Sequence, residues 1–112
     1  MVQPFKKVRN ALTTHLIIYV PSTSGNFEQR VEETQKFLTR LFGGTTEQGG
    51  IGTYVGKQRK VIKEDVAKVE VFTTPSLWES KKDALLKWLR SKKKAWRQEE
   101  LAVEYEEDMF WV

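Results

Sequence analysis

Apolar positions along the chain recur with two periods, one close to a helical turn and one of two residues. The helical period covers Phe27–Phe42 and Leu77–Trp96, where the apolar side chains fall on one side of each segment and most charged side chains on the other. Alternating or continuous β-branched character, which is typical of strands, marks four further segments. These segments are Thr13–Val20, Thr45–Gly56, Val61–Thr74 and Glu100–Glu106. The pattern predicts the element order β-α-β-β-α-β.

Right-handed crossovers fold this order into an α+β ferredoxin-like plait, a four-stranded antiparallel sheet with two helices on one face. The expected strand order is 4-1-3-2. We predict a single domain over residues 1–112, with a flexible N-terminal arm at 1–11 and a hydrophobic C-terminal tail at 109–112. Plaits carry many unrelated activities, so the fold alone does not assign one.

Local signals mark where several elements begin and end. Asn26 with Gln29, and Ser76 with Glu79, have the spacing of capping boxes at the starts of the two helices. The adjacent acids Glu64 and Asp65 interrupt the alternation of the third strand, which indicates a bulge or kink. The glycines of 49–56 follow a helix and enter a hairpin, so they predict a bend rather than a phosphate-binding loop.

Strand alternation divides the sheet into two faces. Leu16, Ile18, Val20, Val55, Val69, Val71, Leu101 and Val103 are expected to face the helices. The opposite face would then carry more aromatic and aliphatic area than a solvated surface normally exposes. This predicts that a second copy (a homodimer) or another protein covers it through Ile17, Tyr19, Tyr54, Phe72, Phe110 and Trp111. The terminal Phe110 and Trp111 either anchor such an interface or cap the sheet edge within the chain.

Residue counts exclude several kinds of chemistry. The chain has no cysteine and a single histidine, His15. Disulfides, thiolate metal sites and cysteine nucleophiles are therefore excluded, and we predict neither a metal nor a cofactor. The apolar run Leu16–Val20 is far shorter than a membrane span. We expect a cytoplasmic protein without a membrane partner.

Charge is distributed unevenly along the C-terminal third. Residues 81–97 hold eight bases and one acid, Asp83, whereas 99–108 hold six acids and no base. A basic surface could neutralise phosphates, which makes a non-specific nucleic-acid binder one hypothesis. Its candidate residues are Lys57, Arg59, Lys60, Lys87, Arg90, Lys93, Lys94 and Arg97. The third strand lacks the aromatic motif with which plaits stack RNA bases, and this argues against that hypothesis.

His15 is the candidate for acid–base chemistry. It is expected on the face away from the helices, near Glu70 or Glu104, and a carboxylate there would raise its basicity. With Tyr19, Tyr54 or Glu70 assisting, His15 would be the general base of a small enzyme whose cleft lies between the sheet and a partner. The alternative is a histidine that only packs and forms hydrogen bonds.

Four short motifs resemble a bacterial family of small uncharacterised proteins with a ferredoxin-like plait. They are Leu16-Ile17-Ile18-Tyr19, Gly43-Gly44-Thr45-Thr46 followed by Gly50 and Gly52, Lys63-Glu64 before the strand Lys68–Phe72, and Gln98–Val103. The resemblance implies the same fold and roles below the surface for Glu64 and Gln98. It implies no activity. Our leading hypothesis from the sequence is therefore a non-enzymatic interaction module that docks onto a larger partner.

Overall fold

The computed structural model describes residues 12–23, 25–56 and 58–112 and has an α+β fold of two helices and five antiparallel strands. The predicted arm at 1–11 and the candidate Lys57 lie outside the described residues. The elements are β1 Thr14–Pro21, α1 Phe27–Phe42, β2 Thr46–Val55, β3 Val61–Thr73, α2 Pro75–Ala95, β4 Ala102–Tyr105 and β5 Asp108–Trp111. Within those ranges, no helix is long and apolar enough to cross a membrane.

The sheet has the order β2-β3-β1-β4-β5, so β1 is central and β5 extends the sheet past the four expected strands. The prediction of a four-stranded sheet is therefore wrong. Residues 109–112, predicted as a tail, belong mostly to β5, and Val112 exchanges two backbone hydrogen bonds with Leu101 at 3.0 and 2.9 Å. By pairing with β4, the segment covers the sheet edge, which is one of the two roles predicted for it.

A tight turn at Glu106 and Glu107 connects β4 to β5. Both residues have positive φ, 50° and 72°, as a two-residue hairpin turn of the favoured twist requires. The sequence did not indicate this turn, because such positions usually hold Asn or Gly and rarely two glutamates.

The helix starts illustrate one correct and one wrong capping prediction. At α1 the Asn26 side chain accepts from the Gln29 backbone N–H at 3.1 Å, and Gly43 ends the helix in the left-handed region at φ 96°. At α2 the capping residue is Thr74, whose Oγ1 accepts from the Leu77 backbone N–H at 3.1 Å. The predicted box of Ser76 and Glu79 is wrong because Pro75 occupies the first helical position, where its lack of an N–H has no cost.

The core lies between both helices and one face of the sheet. Its buried side chains come from alternate strand positions and from the apolar sides of α1 and α2, and they include Leu16, Ile18, Val20, Leu38, Val69, Val71, Leu85, Leu89, Leu101 and Val103. The assignment of faces is correct for every predicted position, but Val55, which has the register of the helix side, is 67 % exposed and does not join the core. Ile51 and Val61 are equally exposed, so neither helix covers the outer end of the β2–β3 hairpin.

Strand β3 runs without interruption through its two acids. Glu64 pairs with Gly52 and Asp65 with Ile51 in one continuous register with β2. The predicted bulge is wrong, because each acid fits the regular alternation: Asp65 is exposed, and the half-buried Glu64 accepts a hydrogen bond from the Thr23 backbone N–H.

Candidate functional site

The face of the sheet opposite the helices, here called the open face, carries most of the polar candidates. It is formed by His15, Ile17 and Tyr19 of β1, by Lys68, Glu70 and Phe72 of β3, and by Glu104 of β4. The registers that align Ile17 with Glu70 on one side and with Glu104 on the other bring these residues together. Because side chains alternate along each strand, all of them project from one face.

His15 is held by two neighbours from β3. Its Nε2 lies 2.7 Å from Glu70 Oε2, and its ring stacks on Phe72 with centroids 4.5 Å apart and an interplanar angle of 15°. The backbone N–H of His15 donates to Glu106 Oε1 at 2.8 Å. Of the two carboxylates proposed as neighbours, the structure therefore places Glu70 and not Glu104 at the imidazole.

Tyr19 and Glu104 form the second polar pair of the open face. The Tyr19 hydroxyl donates to Glu104 Oε1 at 3.0 Å, and Lys68 Nζ lies 5.6 Å from the centre of the tyrosine ring. Burial raises the pKa of Tyr19, and the Glu104 carboxylate raises it further through the hydrogen bond and its charge. Tyr19 is thus a neutral donor that holds Glu104 in place at physiological pH.

Ile17 lies between these two pairs and is only 8 % exposed. The expectation that it presents apolar area to a partner is not met, because the longer side chains on both sides cover it. Glu70 and Glu104 lie two strands apart, which corresponds to about 10 Å between their backbones. The open face therefore offers two separate carboxylates on either side of a small apolar floor.

The other predicted interface residues do not lie together. Tyr54 is on the hairpin, paired with Ile62. Phe110 is in register with the core residue Val103 and so belongs to the helix side of the sheet, whereas Trp111 is in register with Ala102 on the open side. Phe72 is half exposed, at 50 %, and remains beside His15.

A groove of about 440 Å³ adjoins the open face at Glu70 and Phe72. Its other lining residues come from the segment before β1, from the end of α1 and from the turn into β2: Leu12, Phe42, Gly43, Gly44, Thr45 and Thr46. The groove gives a ligand access to the Glu70 carboxylate and to the exposed part of the Phe72 ring.

A cluster of polar residues surrounds the loop after β1, and the sequence analysis largely missed it. We call it the Thr23 cluster; its members are Thr23, Arg30, Glu64 and Gln98. Glu64 Oε2 accepts from the Thr23 backbone N–H at 3.0 Å, and Gln98 Nε2 donates to the Thr23 carbonyl at 3.0 Å. Glu64 and Gln98, for which the family resemblance implied roles below the surface, thus contact the same residue from β3 and from the segment after α2.

Arg30 completes the Thr23 cluster from α1. Its guanidinium donates to the carbonyls of Pro21 at 2.9 Å, Thr23 at 2.7 Å and Trp96 at 3.3 Å, and the residue is buried. Burial lowers the pKa of Arg30, and the charges of Glu64 and Glu33 partly offset that effect. The sequence did hold one signal for this cluster: Arg30 is a charged residue next to Val31 on the apolar side of the predicted helix.

The predicted basic residues lie on two separate elements. Arg59 and Lys60 are exposed in the turn of the β2–β3 hairpin, and Lys87, Lys94 and Arg97 are exposed on or just after α2. Arg90 is exposed as well, and together with the half-buried Lys93 it lines a groove between α2 and β5. In the part of the chain that the structure describes, no group of three or more histidine or acidic side chains could hold a metal ion.

No protein-family model and no curated protein matches the chain. Two solved structures do match. A phage SAM lyase in complex with S-methyl-5′-thioadenosine matches with a TM-score of 0.70 and 15 % identity, covering 95 % of this chain and 94 % of that one. A phage SAM lyase in the apo state matches with a TM-score of 0.63 and 16 % identity, covering 88 % and 87 %.

These matches correct the leading functional hypothesis. At such low identity they establish a shared fold, and they do so over nearly the whole of both chains. Both matched structures are of a SAM lyase, an enzyme, and this finding contradicts the prediction of a non-enzymatic interaction module.

Proposed function

We propose that the chain is a small lyase that cleaves S-adenosylmethionine and releases S-methyl-5′-thioadenosine, with its site on the open face and the groove beside Glu70. The supporting observation is the pair of carboxylates, Glu70 and Glu104, on a fold shared over 95 % of the chain with a SAM lyase. In this proposal the first four strands and the two helices are a ferredoxin-like plait, and β5 is an addition to it.

The charge of the open face suits this substrate. S-adenosylmethionine has a cationic sulfonium and a cationic ammonium group, and the open face has two carboxylates on strands whose backbones lie about 10 Å apart. Each carboxylate is fixed by a hydrogen-bonding partner on β1, since His15 holds Glu70 at 2.7 Å and Tyr19 holds Glu104 at 3.0 Å. The half-exposed Phe72 ring offers a surface on which an adenine can stack.

Release of S-methyl-5′-thioadenosine breaks the bond between the sulfonium sulfur and the γ-carbon of the methionine chain. Both bonding electrons go to the sulfur, which becomes neutral. The γ-carbon gains an electron pair from the substrate's own carboxylate, which closes a five-membered lactone, or from a β-carbon–hydrogen bond, which leaves an alkene and a proton. Neither route consumes water or an oxidant.

We propose the lactone route for this site. The β-hydrogen is not activated by an adjacent carbonyl, so an imidazole is too weak a base to remove it readily. Intramolecular attack requires only that the substrate be held in the reactive geometry, which can supply a large part of the barrier reduction. Glu70 and Glu104 then bind and orient the two cationic groups, and His15 and Tyr19 act as positioning residues.

The test is to incubate the purified chain with S-adenosylmethionine and to quantify S-methyl-5′-thioadenosine by liquid chromatography and mass spectrometry. Glu70→Gln and Glu104→Gln each remove one charge, and we expect kcat/KM to fall about 10- to 100-fold, as for the loss of a charged hydrogen bond. Glu107→Gln is the matched control, because Glu107 is an exposed acid in the β4–β5 turn.

Three outcomes would contradict the proposal. The first is no product above the rate without protein. The second is an equal loss of activity in Glu107→Gln. The third concerns the route alone: an alkene among the products, with activity abolished in His15→Gln, would show that a base removes the β-hydrogen. Nuclear magnetic resonance of the four-carbon product distinguishes the lactone from the alkene.

We also propose that the chain self-associates. Large apolar side chains outside the core support this proposal, above all Ile51, Val55 and Val61 on the hairpin, each at least 67 % exposed. Monomers rarely expose so many large apolar side chains close together.

A further inference from the structure

A second groove, of about 540 Å³, lies on the helix side of the sheet between α2 and β5 and is called here the α2–β5 groove. Leu86, Arg90 and Lys93 line it from α2, and Phe110 lines it from β5. Its volume is within the range of small-molecule sites. It is separate from the open face, because Phe110 is in register with the core residue Val103 and not with the open-face positions.

The groove exists because β5 extends the sheet beyond the area that α2 covers. On neighbouring strands Val103 is buried beneath α2, at 6 % exposure, whereas Phe110 is 50 % exposed. At one end, Trp78 stacks on Tyr105 with ring centroids 4.5 Å apart and an interplanar angle of 17°. The floor and this end of the groove are therefore apolar and aromatic.

The two ends of the groove differ in charge. Near Trp78, Lys82 is paired with Glu79 at 2.7 Å and lies close to Asp83, so its charge is compensated. At the other end, Arg90 and Lys93 form no ion pair with any acid of the described residues. They are three residues apart on α2 and therefore neighbours on one side of the helix. An apolar channel thus leads to two uncompensated cations.

We propose that the α2–β5 groove binds an amphipathic organic anion, a carboxylate with an extended apolar chain. The carboxylate would lie against Arg90 and Lys93, and the chain would extend over Phe110 toward the stacked Trp78 and Tyr105. From Trp78 to Lys93 the helix rises about 22 Å, so the groove accommodates an extended chain rather than a compact molecule. A sulfonium substrate is disfavoured by these cations, so this site is independent of the proposed lyase site.

Calorimetric titration of the full chain tests the proposal with three probes below their micelle-forming concentrations. Decanoate has both the head group and the chain, decyltrimethylammonium has the chain with the opposite charge, and acetate has the head group alone. We expect decanoate to bind at least about tenfold more tightly than either of the others. Phe110→Ala removes an aromatic ring from the floor of the groove and leaves the buried core side chains in place. It should weaken decanoate binding without a change in far-ultraviolet circular dichroism.

The charge contribution is isolated with two double variants of α2. Arg90→Gln with Lys93→Gln should weaken decanoate binding about tenfold. Lys87→Gln with Lys94→Gln removes the same charge from the exposed side of the same helix and should leave binding within about twofold of the unmodified chain. The helix stays intact in both, because Gln is as good a helix former as Lys or Arg.

Equal weakening by the two double variants would overturn the proposal, since it would show only a general effect of net charge. Equal affinity for decanoate and decyltrimethylammonium would also overturn it, because the bases would then play no part. Association with phosphatidylglycerol vesicles without binding of free decanoate would assign the cations to a membrane surface and likewise exclude the proposed ligand.

Discussion

Tyr19 shows how a single residue couples the open face to folding. Its phenol is partly buried and donates to Glu104, and both effects favour the neutral form in the folded chain. The folded pKa is raised above the unfolded value of about 10, so the folded state holds its proton more tightly. The resulting stabilisation is fully present below about pH 10 and is lost as the pH rises through the folded pKa.

We therefore expect the free energy of unfolding to fall as the pH rises above about 10, and the fall to be smaller in Tyr19→Phe. Urea denaturation at a series of pH values measures it. Tyr54→Phe is the matched control, because Tyr54 lies on the exposed hairpin. The interpretation is wrong if both variants change the pH dependence to the same extent.

Among the elements, the loop after β1 is the most heavily fixed by side chains. Three parts of the chain hold Thr23: α1 through Arg30, β3 through Glu64, and the segment after α2 through Gln98. Arg30 donates to the carbonyl of Pro21, shares the Thr23 carbonyl with Gln98, and lies 5.6 Å from the Trp96 ring centre. The Thr23 cluster thus ties the end of the central strand to both helices.

Arg30→Met should destabilise the fold by about 3 kcal/mol, because it keeps much of the side-chain volume but removes three hydrogen bonds of the guanidinium, among them the side-chain donor of the Pro21 carbonyl. Chemical denaturation measures the loss, and hydrogen exchange of the loop amides should show faster opening around Thr23. Arg40→Met, at the exposed end of α1, is the control and should cost less than about 0.5 kcal/mol. A similar cost in both variants would contradict a special role for the buried guanidinium.

For the whole molecule, the uncovered end of the β2–β3 hairpin is the clearest support for self-association. Placing charge on it should disrupt an interface there without affecting the core, since Ile51 and Val61 are each 70 % exposed. We expect the double variant Ile51→Lys, Val61→Lys to sediment as a monomer and the unmodified chain as an oligomer at micromolar concentration.

The control for this experiment is Gln58→Lys, which adds positive charge in the hairpin turn next to the apolar residues and should leave the sedimentation unchanged. If the unmodified chain sediments as a monomer throughout the micromolar range, the proposed self-association is wrong. Turnover of S-adenosylmethionine by that monomer would then show that one copy is sufficient for the site.

Periodicity along the chain was enough to locate α1, to place β1 and β3 within a residue or so of their ends, and to assign nearly every core position to its face. These properties are local, because a helix or strand repeats its orientation within a few residues. The same reasoning placed His15 and Glu70 on one face. It failed where neighbouring residues carried no period, as at the glutamate turn before β5.

Contacts between distant segments needed the tertiary structure. Tyr19 meets Glu104 from 85 positions away, and Gln98 meets Thr23 from 75 positions away. Such pairs depend on which strands are neighbours and in which register, and no local pattern encodes either. Both grooves likewise arise from where β5 and the turn after α1 lie relative to elements far away in the chain. The chain's own pattern therefore indicated which residues could act, and packing decided which of them act together.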